Sequence, residues 1–552
     1  MKKLLLVLII VISVNETALA YTKYWITFTD KNGTPYNINT PSAFLSPRSI
    51  QRRTNQNIAV TVRDLPVNPA YVTQVLATGA VTLNFKSKWL NAISITTSDA
   101  NALTLIAALP FVTGVTPVQR YMNDDYYNAK EEPVFPSADK IILTNPELLA
   151  YNYGGSFNQA NQIGAVCMHN LGYHGEGMVI AVIDDGFSTV NTHAGFDSIR
   201  TNNQILGTWD FVVGEQNVYN DGNHGTRVLS CIAGYIDNQL VGTAPKADFW
   251  LLRTENVSSE FSYEEDTWVA GAEFADSVGA DIITSSLGYT VYDDGNGDHT
   301  YSDMDGNTCR VTIGADYAAN TGMFVAICQG NSGAQPWYYM WAPADGDSVL
   351  SVGAVNSGGT IASFSSHGPT FDGRIKPNTC AQGVSAVVVD PSGTVTTNSG
   401  TSFSTPITSG AVACLWQANP TFTNMQLFTS ILQSADRYTN PNNDYGYGIP
   451  NFCNANIFLS NTNPKDFSSD KLISVYPNPV SDFVSFNFYS ASVQEIKIQM
   501  IDITGKVISE QNISVKAGAN EIRLDNLSLS GGIYLLSIQT SANVFSQKIV
   551  RE

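Results

Sequence analysis

The chain has 552 residues, 43 % of them hydrophobic and 14 % charged, with 25 Tyr and 25 Phe, which is the make-up of a globular protein of about three domains. Its formal net charge of −19 leaves no basic field to neutralise phosphates and so excludes nucleic acid as a partner. After the N-terminus no apolar run approaches the roughly 20 residues that span a bilayer, so no transmembrane segment is expected. At the start, Lys2 and Lys3 precede the apolar stretch Leu4 to Val14, and Ala18-Leu19-Ala20 forms a small-residue cleavage motif. That order marks residues 1–20 as a signal peptide. Residues 21–120 then read as strand Tyr24 to Thr29, helix Pro69 to Ala77, strands Val81 to Phe85 and Asn91 to Thr97, helix Asp99 to Leu109 and strand Val112 to Val118. The order β-α-β-β-α-β is that of a small α+β, ferredoxin-like unit. An insert from Asp30 to Val67, carrying Arg48, Arg52 and Arg53, enlarges it. A polar connector, 121–153, follows.

The next segment, 154–460, carries the chemistry. Met178 to Ile183 is a continuous apolar run ending in Asp184-Asp185-Gly186, the pattern of a buried parallel strand with an acid at its carboxyl end. Asp221-Gly222-Asn223-His224-Gly225-Thr226 is a tight turn feeding an expected helix from Val228 to Ile236. Met323 to Cys328 is a second buried strand, ending in Gln329-Gly330-Asn331-Ser332-Gly333, where an Asn amide can donate to a developing oxyanion. Gly400-Thr401-Ser402-Phe403-Ser404-Thr405-Pro406 places a serine just before the apolar helical run Ile407 to Trp416, with Pro406 expected in the first helical turn. A serine hydroxyl needs a base to take its proton and a group to orient that base. His224 and Asp184 supply both. Asp185 is expected to face solvent or bind a loop, since adjacent strand residues point to opposite faces.

Between the strands, Asp293-Asp294-Gly295-Asn296-Gly297-Asp298 and Asp303-Met304-Asp305-Gly306-Asn307 form an acidic, Gly-rich loop with hard oxygen donors. It reads either as a structural calcium site, with Asp293, Asp298 and Asp305 as ligand candidates, or as a solvated loop bordering a groove. Seven cysteines lie between Cys167 and Cys453. Cys231, Cys328 and Cys414 fall in core elements and are expected as buried thiols, while Cys309 and Cys380 are the better disulfide candidates by their loop positions. A linker, 461–471, leads to 472–552, where short alternating strands such as Phe483 to Phe488, Val493 to Ile501, Glu521 to Leu524 and Ile533 to Ile538 predict a small all-β sandwich.

The order Asp184, His224, Asn331, Ser402 and the local contexts of each resemble the subtilisin-like (subtilase) serine peptidases. Val182-Ile183-Asp184-Asp185-Gly186, His224-Gly225-Thr226, Gly330-Asn331-Ser332-Gly333 and Gly400 through Pro406 correspond to the four family motifs, with Asp185 in place of the usual small hydroxyl residue. The resemblance implies an α/β fold built on a doubly wound parallel sheet. It further implies acyl transfer by an Asp184-His224-Ser402 triad, an oxyanion hole at Asn331 and substrate pairing along Ser286-Leu287-Gly288. No cofactor is required for such catalysis, and structural calcium is common in the family. Trp341 falls roughly at the base of the primary pocket and would favour small side chains there. The unit at 21–120 resembles the family's inhibitory propeptide, with a processing site in the connector. Val475-Tyr476-Pro477-Asn478-Pro479, Gly532-Ile533-Tyr534 and Lys548-Ile549-Val550 resemble a type IX secretion C-terminal sorting domain. The expectation is thus a secreted or cell-surface endopeptidase, made as an autoprocessed zymogen and exported across both membranes of a Bacteroidota-type bacterium. Its partners would be polypeptide substrates, its own propeptide and the type IX machinery. The alternative is a catalytically inactive binding protein or adhesin on the same scaffold.

Overall fold

The computed structural model describes residues 21–120, 150–462 and 470–551, the last apart from 477–479, 481–482, 516–517, 526–528 and 542. The expected signal peptide, most of the connector and linker, and the Pro-Asn-Pro of the sorting motif lie outside the described residues.

The first unit contains β1 (Tyr21–Phe28), α1 (Pro47–Asn55), α2 (Pro69–Leu76), β2 (Thr82–Ser87), β3 (Ala92–Thr96), α3 (Ala100–Ala107) and β4 (Val112–Arg120). Its strands pair antiparallel in the order β2-β3-β1-β4, as the β-α-β-β-α-β reading requires. The insert is not a loose loop. It folds the helix α1, begun by a Ser46 cap accepting from Ser49 N–H and by Pro47 in the first turn.

The middle unit runs through α4 (Phe157–Gln162), α5 (Ala165–Asn170), β5 (Val179–Asp184), α6 (Asp197–Thr201), β6 (Ile205–Asp210), α7 (His224–Ala233), β7 (Tyr235–Ile236), β8 (Leu240–Val241) and β9 (Asp248–Arg253). It continues with α8 (Tyr263–Val278), β10 (Ile282–Ser285), α9 (Arg310–Asn320), β11 (Phe324–Cys328), β12 (Leu350–Val355) and β13 (Thr379–Gln382). A hairpin of β14 (Ala386–Asp390) and β15 (Thr394–Asn398) precedes the helices α10 (Thr401–Ala418), α11 (Asn424–Ser434) and α12 (Phe452–Thr462). Seven strands form one parallel sheet in the order β13-β12-β11-β10-β5-β9-β6. Every residue of β5, β10 and β11 is buried, because helices cover both faces of the sheet with separate apolar clusters.

Two helix boundaries near the site differ from the sequence reading. The helix after His224 ends at Ala233, and Tyr235-Ile236 instead pairs with Leu240-Val241 as a short hairpin. The serine-bearing helix starts at Thr401, so Pro406 sits inside it rather than in its first turn. A disulfide joins Cys167 on α5 to Cys453 on α12. Cys309 and Cys380, expected to be the better disulfide candidates, are buried free thiols, one at the start of α9 and one on β13, the buried end strand of the sheet. Cys231, Cys328 and Cys414 are buried and free, as expected.

The last unit has β16 (Lys471–Tyr476), β17 (Phe483–Ser490), β18 (Gln494–Asp502), β19 (Val507–Val515), β20 (Gly518–Asp525), β21 (Gly532–Gln539) and β22 (Val544–Arg551). They form two antiparallel sheets, β16-β17-β20 and β19-β18-β21-β22, packed on one apolar core. Among the described residues no helix is long and apolar enough to cross a membrane.

Candidate active site

Parallel strands end at the same edge of their sheet, and three of them deliver site residues there. Asp184 is the last residue of β5, Asn331 follows β11, and Ser286 follows β10, which lies between the two. The helices α7 and α10 pack together and bring His224 and Ser402 to that edge by their N-terminal turns.

His224 Nδ1 donates to Asp184 Oδ1 at 2.6 Å, and the Asp185 N–H donates to the same oxygen at 2.9 Å. A carboxylate accepting at Nδ1 fixes the neutral imidazole with its proton there and leaves Nε2 as the basic nitrogen. Asp184 is fully buried, and its Oδ2 has no hydrogen-bond partner among the described residues. The turn before His224 lies directly over the end of β5. A Cβ on Gly186, whose φ is +148°, would stand 1.9 Å from the Asp221 carbonyl oxygen. Only glycine permits that approach, and with it the short Asp184–His224 bond.

Asp185 does not face solvent as the alternation of a strand suggests. Its carboxylate accepts from Gly225 N–H at 3.1 Å and His224 N–H at 3.4 Å, so it caps the helix that carries the histidine. The alternation rule ends where the strand does, at Asp184. Burial and the adjacent Asp184 carboxylate push the Asp185 carboxyl up to about 7.

Ser402 occupies the second position of α10 and is buried except for its approach to the edge. By position, its own N–H has no intrahelical acceptor. The ring of the next residue, Phe403, lies 6.1 Å from the His224 ring. Pro406 explains how the segment is held. Having no N–H, it cannot bond the carbonyl four residues back, which is that of Ser402. That freed carbonyl accepts instead from Ser286 Oγ at 2.8 Å, tying the serine turn to the end of β10. Ser286 is therefore a buried anchor, while Leu287 and Gly288 stay half-buried along the groove.

Asn331 is oriented from α10. Its Oδ1 accepts from Thr401 N–H at 2.9 Å and Thr401 Oγ1 at 3.0 Å, and Thr401 Oγ1 accepts in turn from Gly330 N–H at 3.2 Å. With the carboxamide oxygen so occupied, Nδ2 is the end left to donate. Trp341 packs against Gly288 and Gly330 at once, since a Cβ on either would lie 2.8 Å from its atoms, and its Nε1 donates to Ser332 Oγ at 2.9 Å. Burial raises the thiol pKa of each free cysteine, which leaves none poised as a thiolate nucleophile.

The acidic loop, which from sequence reads either as a calcium site or as a solvated loop, holds its carboxylates in hydrogen bonds. Asp293 accepts from Glu260 N–H, Asp298 from Tyr292 N–H, and Asp305 from Asn307 and Thr308 N–H, at 2.7 to 2.9 Å. Asp298 and Asp305 bond within their own loop and Asp293 bonds a separate segment, and among the described residues the three carboxylates form no cluster. The loop instead receives the first unit: Asn296 Nδ2 donates to Pro117 O at 2.8 Å and Arg120 pairs with Asp294 at 3.4 Å. The contacts that sequence reasoning missed are the Ser286 anchor, the Thr401 brace and the Asp185 cap.

Three protein families match the chain. The Subtilase family covers residues 175–448, the Bacteroidota Peptidase S8 propeptide domain residues 23–133, and the Secretion system C-terminal sorting domain residues 474–552. Among curated proteins, subtilisin E of Bacillus subtilis (strain 168) is 32 % identical over 59 % of this chain and 80 % of its own length. The subtilisin of Bacillus pumilus is 33 % identical over 53 % of this chain and 95 % of its own length. Subtilisin Savinase of Lederbergia lenta is 29 % identical over 53 % of this chain and 95 % of its own length. The propeptide and the sorting tail mark a chain made for secretion or cell-surface export.

Proposed function

The chain belongs to the subtilase family of serine peptidases, and on that footing we propose that it is an endopeptidase that cuts polypeptides through Asp184, His224 and Ser402 and releases itself from its propeptide. The observation that carries this reading is the 2.6 Å bond from His224 Nδ1 to a buried Asp184, beside the helix start that holds Ser402.

In this reading His224 Nε2 takes the Ser402 proton as Oγ attacks the scissile carbonyl, then returns it to the leaving amine. Asp184 holds the tautomer and stabilises the imidazolium. The oxyanion is met by Asn331 Nδ2 and the Ser402 N–H, which the brace from Thr401 and the first turn of α10 leave unengaged. Extended substrate pairs along Leu287 and Gly288. Trp341 fills the gap between the two groove walls and favours a small side chain before the scissile bond. The chain divides as signal peptide 1–20, propeptide 21–120, connector 121–153, catalytic domain 154–460, linker 461–471 and sorting domain 472–552. No cofactor takes part in these steps.

The test compares the full chain with Ser402→Ala by intact mass, N-terminal sequencing and labelling with a serine-directed fluorophosphonate. Wild-type protein cut between Gln119 and Tyr153 and labelled, with an uncut and unlabelled variant, supports the reading. Unlabelled wild-type protein, or processing that persists in the variant without any other protease present, refutes it.

A further inference from the structure

The loop after β11 carries both Asn331 and Trp341, and it is fastened in two places to one segment, residues 363–368, that runs between β12 and β13. Ser366 N–H donates to Gly330 O at 3.0 Å, Ser366 Oγ accepts from Ser332 N–H at 2.9 Å and Gly333 N–H donates to Phe364 O at 2.8 Å. Asn331 thus stands between two residues held by Ser366. Further along, His367 N–H donates to Tyr338 O and Met340 N–H donates to His367 O, both at 3.1 Å. Trp341 follows directly, with its Nε1 on Ser332 Oγ. One part of the segment therefore holds the oxyanion donor and the other holds the pocket wall.

His367 is itself held from behind. Its Nδ1 donates to Asp444 Oδ1 at 2.8 Å, and the next residue, Gly368, donates its N–H to Asn443 O at 2.8 Å. Asp444 sits in a closed turn: Asn442 Oδ1 accepts from the N–H of Asp444 and of Tyr445 at 3.0 and 2.8 Å, and Asn442 and Gly446 exchange backbone bonds. A carboxylate at Nδ1 fixes the orientation of the imidazole as well as its tautomer. The ring lies flat on that of Tyr338, with centroids 4.3 Å apart and 9° between the planes. Tyr338 has a φ of +64°, in the left-handed region that a bulky side chain enters only when its surroundings force it. The residue is 41 % exposed, so burial does not impose that backbone. The bond from His367 N–H and the stacked ring are what hold it there.

We propose that His367, aimed by Asp444, is a positioning residue of the substrate pocket: it holds Tyr338 in the left-handed conformation and, through the turn from Tyr338 to Trp341, sets how far the Trp341 ring stands from Gly288 and Gly330. This rests on the reading of Asn331, Ser402 and Trp341 as parts of a peptidase groove. None of the hydrogen bonds or ring contacts of His367 is to Asp184, His224, Asn331 or Ser402. It therefore acts on the fit of substrate rather than on the chemistry. A wall fixed at one distance selects peptides with a small side chain before the scissile bond, and a wall free to swing gives up that selection. Strain of the kind seen at Tyr338 persists only where neighbouring structure over-determines it, and the Asp444–His367 pair supplies that constraint.

The experiment separates fit from chemistry. kcat and KM are measured for the matured enzyme on peptides with Ala or Phe before the scissile bond, for the parent, His367→Ala, Asp444→Ala and His367→Ala/Tyr338→Gly. We expect His367→Ala to raise KM for the Ala peptide about tenfold with kcat within about twofold of the parent, and to narrow the preference for Ala over Phe. Asp444→Ala, at a side chain half in solvent, moves KM the same way by less. Glycine takes a φ of +64° without strain, so Tyr338→Gly recovers most of the KM lost in His367→Ala, which a merely structural role for His367 would not allow. In the full chain carrying Ser402→Ala, His367→Ala also speeds hydrogen exchange of the Met340 and Trp341 amides. Unchanged exchange, a loss confined to kcat, or no recovery with Tyr338→Gly overturns the proposal. If His367→Ala does not fold, an unchanged KM in Asp444→Ala overturns it equally. A parent that turns over neither peptide refutes the peptidase reading, and the pocket assignment with it.

Discussion

Thr401→Val examines whether the oxyanion donor is aimed from α10. Valine keeps the shape of threonine and the backbone N–H that bonds Asn331 Oδ1 at 2.9 Å. It removes the hydroxyl, and with it both the 3.0 Å donation to Asn331 and the acceptor of the Gly330 N–H. One lost hydrogen bond is worth about 1 kcal/mol, and an orphaned buried N–H costs about 1–3 kcal/mol of stability. The carboxamide keeps one of its two restraints, so we expect kcat to fall about tenfold, equivalent to about 1.4 kcal/mol, with KM nearly unchanged. Asn331→Ala, which removes the donor itself, should cost about 10²–10³ in kcat. Because Thr401 acts through Asn331, the double variant should be scarcely worse than Asn331→Ala alone. The assay is kcat and KM of the matured enzyme on a chromogenic peptide for wild type, both single variants and the double. Additive losses, or a change confined to KM, would refute the reasoning.

Two further predictions come from the same edge of the sheet. Asp185 keeps its proton up to about 7 in the folded chain, against about 3.8 when unfolded, so between those values the folded state binds the extra proton and stability falls as pH rises. Asp185→Asn, measured by thermal unfolding in the Ser402→Ala background, should match the parent near pH 4 and melt progressively higher than it from pH 5 to 8; a constant offset would contradict this. Trp341→Ala should open the gap between Gly288 and Gly330, raising kcat/KM for peptides with Phe before the scissile bond relative to Ala by about tenfold or more, and an unchanged ratio would place Trp341 outside the pocket.

The site was legible because its chemistry is written in turns. Gly186 after Asp184, Gly222 and Gly225 around His224, Gly330 and Gly333 around Asn331 and Gly400 before Ser402 mark sharp corners, and apolar runs on one side of each corner mark the buried strand or helix that aims it. The β-α-β-β-α-β order of the first unit was readable for the same local reasons, and its sheet order follows. What could not be read depends on distant segments. The Ser286–Ser402 bond joins residues 116 apart, and the disulfide closes a separation of 286. Pro406 shows the limit from the other side. Local rules put proline in a first turn, yet here its missing N–H frees a carbonyl that a strand far upstream employs. The acidic loop stayed ambiguous because alternating Asp and Asn can also bond the N–H groups of their own loop, as Asp298 and Asp305 do.

The acids of α8 carry the deeper lesson. Glu264, Glu265, Asp266, Glu273 and Asp276 would ordinarily read as the solvated face of a surface helix, yet all five are buried, Glu264, Glu265 and Asp266 against Asn256, His299 and Arg310 of their own unit and Glu273 and Asp276 against the first unit. If the first unit is removed, as we propose, the face formed by Glu273 and Asp276 is covered in the precursor and bare in the product, where an apolar patch would invite aggregation. Carboxylates meet both demands: water solvates them when the face is free, and cations with fixed geometry satisfy them when it is covered. On that reading Arg52 and Arg53 of α1, which meet Asp276, are the counterpart that a temporary interface requires. The charge that makes the cover specific is also what lets the uncovered face stay soluble.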